Sequence, residues 1–200
     1  PMLRKAIEKS KKFEINIIAP GHGPLYRGNP EKIMNDYTRF SNYAEGAGKN
    51  EITILWGSMY GMTGKAIAFA EEVLNREGIN YNKLEMPLES ESEMVATVFK
   101  SAGIIIAAPT YEYKLFPPVA AALDEIGRKK ITGKAAFRFG SYGWSGGAEK
   151  ELAEILERNR MKWDMVPSVE FEGSPKAGDF EKIEAGILEL IGKMKDKIVE

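Results

Sequence analysis

The chain alternates strand-like and helix-like segments from residue 51 to its end, and this alternation constrains its fold more than any other feature. Ile52-Thr53-Ile54-Leu55-Trp56 is a nearly continuous apolar, β-branched run, the pattern of a strand buried on both faces. Similar signals recur at 80–86, at 103–108 around Ile104-Ile105-Ile106, at 134–139 and at 163–171. Between and after them, helical spacing of apolar residues predicts helices at 63–76, 92–101, 119–127, 147–159 and 179–198. The last has an inner stripe of Phe180, Ile183, Ile187, Leu190, Ile191 and Met194. Such repetition predicts an α/β protein, a parallel sheet with helices on both faces.

Right-handed crossovers leave few strand orders for an open parallel sheet. Five strands fit the flavodoxin-like order 2-1-3-4-5 better than the six-stranded dinucleotide fold. Ligands of such sheets bind outside the carboxyl ends of the strands, where the strand order reverses. The loops after the first, third and fourth strands are therefore the candidate site.

Composition removes many chemistries. The chain has no cysteine and one histidine, His22. Thiolate catalysis, disulfides and Cys-ligated metals are excluded. One histidine cannot close a multi-His metal centre. The 28 basic and 29 acidic residues leave a net charge of −1, which argues against a nucleic-acid partner. No apolar run reaches the ~20 residues of a membrane helix, so no membrane partner is expected. Residues 3–13 read as a charged helix rather than a signal peptide, and a cytoplasmic location is expected. Chemistry in this chain must come from a bound cofactor.

The first 48 residues read differently. A basic helix at 3–13 and a strand at 15–18 precede the rigid turn Ala19-Pro20-Gly21-His22-Gly23-Pro24. Asn29-Pro30 opens a helix carrying Ile33, Met34, Tyr37 and Phe40, with Asn29 as its N-cap. Glu45-Gly46-Ala47-Gly48 reads as a linker. The expected division is an appendage at 1–48 and the α/β domain at 49–200. The apolar faces of the appendage need a partner: the α/β domain, another copy or a missing half.

Three loops carry the functional signal. Gly57-Ser58-Met59-Tyr60-Gly61-Met62-Thr63-Gly64 offers hydroxyls, flexible glycines and free N–H groups at a helix start, the makings of a phosphate site. It has neither the Walker lysine nor GxGxxG, so a terminal phosphate monoester held by neutral donors is expected. Pro109-Thr110-Tyr111-Glu112-Tyr113 places two aromatic rings around a carboxylate, suited to stacking a flat ligand. Ser141-Tyr142-Gly143-Trp144-Ser145-Gly146-Gly147 offers two further rings on a backbone that a ligand can approach closely. Each loop alone is compatible with an ordinary strand-to-helix turn. A phosphate site beside two ring-contacting loops, at one switch point, describes flavin mononucleotide (FMN), whose redox chemistry needs neither Cys nor His. Glu112 would disfavour an anionic reduced ring or act as a solvated rim charge.

These residues resemble a known family. Ser58-Met59-Tyr60-Gly61-Met62-Thr63 resembles the [ST]-x-[TY]-G-x-T phosphate loop of flavodoxins. Gly140-Ser141-Tyr142-Gly143-Trp144-Ser145-Gly146-Gly147 closely resembles the third flavin loop of flavodiiron proteins. Ile18 to Pro24, followed by Asn29-Pro30-Glu31, looks like the end of that family's metallo-β-lactamase-like domain. The Tyr111-Glu112-Tyr113 loop departs from the Asn-rich version of many members. The resemblance implies FMN binding at Ser58, Met59, Tyr60, Gly61, Met62, Thr63, Pro109, Thr110, Tyr111, Glu112, Tyr113, Ser141, Tyr142, Gly143, Trp144, Gly146 and Gly147. It matches His22 to the last iron ligand, which would bind metal only in a complete diiron protein. It also implies a rubredoxin-like or flavin-reductase donor, a diiron domain outside this chain that reduces O2 or NO, and a homodimer. This chain would then be the C-terminal portion or a natural half of such a protein, active in electron transfer. Two rivals share the fold: an NAD(P)H:quinone reductase, and an interaction module without flavin.

Overall fold

Strand Ser101–Ala107 is buried at every residue, and the architecture is arranged to cover it. In the computed structural model, which describes residues 2–199, the order is α1 (Met2–Ser10), β1 (Ile17–Ile18), β2 (Tyr26–Arg27), α2 (Pro30–Ala44), β3 (Lys49–Trp56), α3 (Met62–Arg76), β4 (Asn80–Glu85), α4 (Glu91–Lys100), β5 (Ser101–Ala107), β6 (Thr110–Tyr111), β7 (Lys114–Leu115), α5 (Pro117–Arg128), β8 (Ala135–Tyr142), α6 (Ala148–Arg158), β9 (Asp164–Glu172) and α7 (Ala177–Met194). The main sheet runs β4-β3-β5-β8-β9, all parallel. This is the 2-1-3-4-5 order expected from the sequence.

Alternation along β5 divides the core into two layers. Ile104 and Ile106 face one side, where they pack among Val98 of α4, Leu123 and Ile126 of α5, and Leu152 and Ile155 of α6. Ile105 faces the other, among Ile67 and Leu74 of α3 and Ile183, Ile187 and Leu190 of α7. Each fully buried Ile or Leu contributes about 1.5–3 kcal/mol, so both faces must be covered. A parallel sheet meets that demand through crossover helices. The chain leaves β3 towards β4 on one side and returns to β5 on the other, and the loops after β3 and β5 diverge over the carboxyl edge.

The N-terminal segment rests on this unit. Its helix α2 starts as expected: the Asn29 side chain accepts the Lys32 N–H at 2.9 Å, with Pro30 in the first turn. Strand β1 pairs antiparallel with β2, a short hairpin partner that the Pro- and Gly-rich turn hides in the sequence. At the other end of α2, buried Tyr43 meets Phe99 of α4 edge-on, with ring centroids 5.7 Å apart. The segment expected to be a linker is pinned instead. The Gly48 N–H donates to the Lys197 carbonyl at 2.9 Å, and the Val199 N–H returns to the Gly48 carbonyl at 2.9 Å. Lys134, fully buried, donates from Nζ to the Ala47 carbonyl at 2.6 Å and the Phe99 carbonyl at 2.9 Å. Glycine at 46 and 48 marks close backbone packing rather than slack: a Cβ on Gly48 would lie 2.4 Å from the Ala102 nitrogen.

Burial pushes the Lys134 amine down from 10.5 to about 7, with the nearby Lys197 charge acting in the same direction. Between these values the unfolded chain holds a proton that the folded chain has lost, so rising pH favours the folded state by up to about 1.4 kcal/mol per pH unit. Below pH 7 the full cost of burying the ammonium is present. Thermal unfolding from pH 6 to 9 should therefore show the wild type gaining stability relative to Lys134→Met. Parallel pH profiles for the two proteins would contradict this.

Candidate functional site

The three loops picked out in the sequence converge at the carboxyl edge of the sheet. They surround a cleft of about 420 Å³ lined by Met59, Tyr60, Met62, Pro109, Thr110, Tyr111, Glu112, Tyr113, Ser141, Tyr142, Gly143, Trp144, Ser145 and Gly173. That volume lies within the ~300–1,000 Å³ of small-molecule sites. The walls are mainly apolar and aromatic. Trp144 is 89% exposed and Tyr60 84% exposed, so both rings stand free at the rim.

The first loop ends at α3, whose N-cap is Gly61 with φ +77°. Glycine meets that left-handed conformation without strain. No side chain caps the helix, and its first residue, Met62, lines the cleft, so the uncapped first-turn N–H groups suit an anion. Two expected phosphate ligands have structural partners of their own. The Ser58 hydroxyl accepts the Gly61 N–H at 3.0 Å and folds the loop on itself. Thr63 is fully buried, and its hydroxyl shares a 3.2 Å hydrogen bond with the Ser141 hydroxyl, joining the first loop to the third. Lys65, one turn into α3, donates to the Ser174 hydroxyl at 3.2 Å and fastens the helix start to the loop after β9.

The second loop is more ordered than the sequence predicts. Strands β6 and β7 form an antiparallel hairpin with Tyr111 opposite Lys114. Glu112 and Tyr113 make its two-residue turn, with φ of +46° and +63°. A turn with both central residues left-handed suits Asn-Gly, and here it carries two ordinary side chains under strain. Neighbours hold it in place. The Leu115 N–H donates to Glu151 Oε2 of α6 at 2.6 Å. Gly147 packs so tightly beneath the turn that a Cβ there would lie 2.1 Å from the Tyr113 carbonyl oxygen. The turn thereby presents Glu112 and Tyr113 to the cleft. The Thr110 hydroxyl between Pro109 and Tyr111 is buried and has no hydrogen-bond partner among the described residues.

The third loop leaves β8 at Tyr142. Gly140 is needed for close approach: a Cβ there would lie 1.8 Å from the Ala108 carbonyl oxygen. Gly146 and Gly147 are outside the residues that line the cleft and pack against Glu170 and the β6–β7 turn. Of the expected site residues, Ser58, Gly61, Thr63, Gly146 and Gly147 shape the cleft and the rest line it. Ser145 and Gly173 line it without having been singled out. Gly173 is signalled by the Gly-Ser-Pro turn closing the fifth strand. His22 is exposed in the bend after β1, and no group of three or more His, Asp or Glu side chains suited to a metal forms among the described residues.

The parallel order and the cleft at its switch point define a flavodoxin-like α/β fold. No protein-family model matches the chain. A nitric oxide reductase of Moorella thermoacetica is 25% identical over 183 residues, covering 90% of this chain and 45% of that protein. An anaerobic nitric oxide reductase flavorubredoxin of Vibrio vulnificus is 32% identical over 136 residues, 67% of this chain and 27% of its own length. The crystal structure of the flavodiiron protein from Giardia intestinalis superposes with a TM-score of 0.84 at 26% identity, covering 98% of this chain and 48% of that one. The homologues and structural neighbours of this chain are flavodiiron proteins, and it corresponds to their C-terminal, flavodoxin-like part. It spans half or less of the length of these relatives.

The strained turn yields a stability test. Replacing Glu112 by Asn and Tyr113 by Gly should raise the unfolding free energy by about 1 kcal/mol, since both residues suit the left-handed conformation. Urea titration measures it. A loss of stability would show that the two native side chains hold the hairpin by their own contacts.

Proposed function

We propose that the cleft binds FMN and that this chain is the electron-transfer module of a flavodiiron-type oxidoreductase. One observation carries the reading: a phosphate-suited helix start and two aromatic loops meet at a single cleft of the right size. The residues present fit the group. The open N–H groups at α3 suit a phosphate, the apolar walls suit a flat ring, and the unpartnered Thr110 hydroxyl suits the polar edge of that ring. When bound, FMN supplies one- and two-electron redox chemistry.

The chain's residues then have distinct tasks. The first-turn N–H groups of α3 hold the phosphate, with Ser58 and Thr63 fixing the loop that presents them. Tyr111, Tyr113, Tyr142 and Trp144 shape the ring slot and exclude water. The Gly143 backbone, which lines the cleft, would be within reach of the ring, and Glu112 places a negative charge at the rim. Residues 1–48 are proposed as the end of a metallo-β-lactamase-like domain whose diiron centre, reducing O2 or NO, lies outside this chain, with His22 as an iron ligand in the complete protein. A rubredoxin-like or flavin-reductase donor supplies the electrons. A homodimer would bring the flavin of one subunit near the metal site of the other.

The purified chain should retain FMN through desalting after loading, with flavin absorption bands. Trp144→Ala should weaken binding by about tenfold. A chain that stays colourless would overturn the FMN reading. Steady NADH oxidation with a quinone would move the assignment to a quinone reductase.

A further inference from the structure

An ion pair between a fully buried arginine and a half-buried glutamate lies beneath the cleft and has no part in the function proposed so far. Arg138, in the middle of β8, has none of its surface exposed. Its Nη1 donates to Glu170 Oε1 at 2.6 Å, and its Nη2 donates to the Ala108 carbonyl at 3.2 Å. Nε has no partner among the described residues. We propose that Arg138, paired with Glu170, is a positioning residue that locks the second and third loops of the cleft together and so sets the binding and potential of the flavin; this rests on the FMN reading.

Four features of the surroundings support it. Ala108 immediately precedes Pro109 and Thr110, so its carbonyl anchors the start of the second loop. Glu170 lies under the third loop, where a Cβ on Gly146 would come 2.5 Å from its Oε2. Gly140 clears the path between them, since a Cβ there would lie 3.2 Å from Arg138 Nη2 as well as against Ala108. Finally, the β8–β9 register slips between Phe137 and Phe139, whose partners are Val166 and Val169. One extra residue in β9 makes a bulge beside Arg138, and beyond it Glu170 stands opposite Gly140. Bulges next to functional sites re-aim side chains, and this one brings the carboxylate to the guanidinium.

Stability alone does not account for an arginine here. Phe137 and Phe139 flank it in a strand whose core is otherwise apolar, and an apolar residue would fill the space without desolvating a charge. Burial pushes the guanidinium pKa down, and Glu170 opposes that shift. Removing one partner of such a pair leaves a buried charge unpaired, whereas replacing both with apolar residues is often neutral or stabilising. The double replacement therefore separates positioning from folding.

The test compares the wild-type chain with Arg138→Met/Glu170→Leu and with Arg138→Lys. Thermal unfolding of the apoprotein, amide hydrogen exchange at 109–115 and 141–147, the FMN dissociation constant and the midpoint potential of bound FMN are measured for each. The double variant should unfold at or above the wild-type temperature. Its two loops should exchange faster, FMN should bind about tenfold more weakly, and the potential should shift. Lysine keeps the charge but lacks the planar fork that spans Glu170 and the Ala108 carbonyl, so Arg138→Lys should fall between the two. Wild-type exchange, affinity and potential in the double variant would overturn the proposal. So would a double variant that fails to fold while Arg138→Lys matches the wild type in all three. Loops that loosen in a chain whose wild type binds no FMN would support the coupling and overturn the FMN reading.

Discussion

Every part of this molecule answers to the burial of β5 on both faces. Ser101–Ala107 exposes nothing, and a parallel strand in that position demands helices above and below. The α4–α5–α6 layer meets Ile104 and Ile106, and the α3–α7 layer meets Ile105. Connecting those layers with right-handed crossovers forces the order to reverse between β3 and β5. The crevice at the reversal follows from the topology, and the loops that flank it are free to carry chemistry because the sheet below them is rigid.

What makes the crevice a site is backbone proximity secured by missing side chains. Gly140 lets β8 touch the Ala108 carbonyl, and Gly147 lets the third loop touch the β6–β7 turn. These contacts press the second and third loops together, while the Thr63–Ser141 hydrogen bond ties the first to the third. The turn at Glu112–Tyr113 is strained in isolation and persists because Glu151 and Gly147 hold its base. Local strain maintained by surrounding packing is common where a fold presents ligand-binding groups.

The sheet order and all five main strands were legible in the sequence because β3 and β5 carry apolar, β-branched cores and because short strand-like segments alternate regularly with helix-period ones, which places the weaker β4, β8 and β9. The cleft was legible at the level of loops, since strand ends and glycine clusters mark it. Side-chain roles were less so. Ser58 and Thr63 look like ligands in a motif, and in the structure their hydroxyls also bond Gly61 and Ser141, a loop-bracing role that the motif does not reveal. Gly146 and Gly147 look like ligand contacts, and the structure adds a packing role, with Glu170 and the Tyr113 backbone close against them. The β6–β7 hairpin escaped because Glu-Tyr carries none of the Asn-Gly signal that its backbone calls for. The Glu45–Gly48 segment reads as a linker from composition, and only the contacts with Ser101, Lys134 and Lys197 reveal that its glycines are there for close packing.

The central claim is that three separate loops form one FMN site. The most direct test is to titrate FMN into isotope-labelled apoprotein and follow the backbone amides by NMR. The account predicts saturable shifts that share one dissociation constant at Met62–Gly64, Thr110–Tyr113 and Ser141–Ser145, with little change along α5 or in residues 2–44. Shifts confined to one loop, or spread without saturation over the surface, would contradict it.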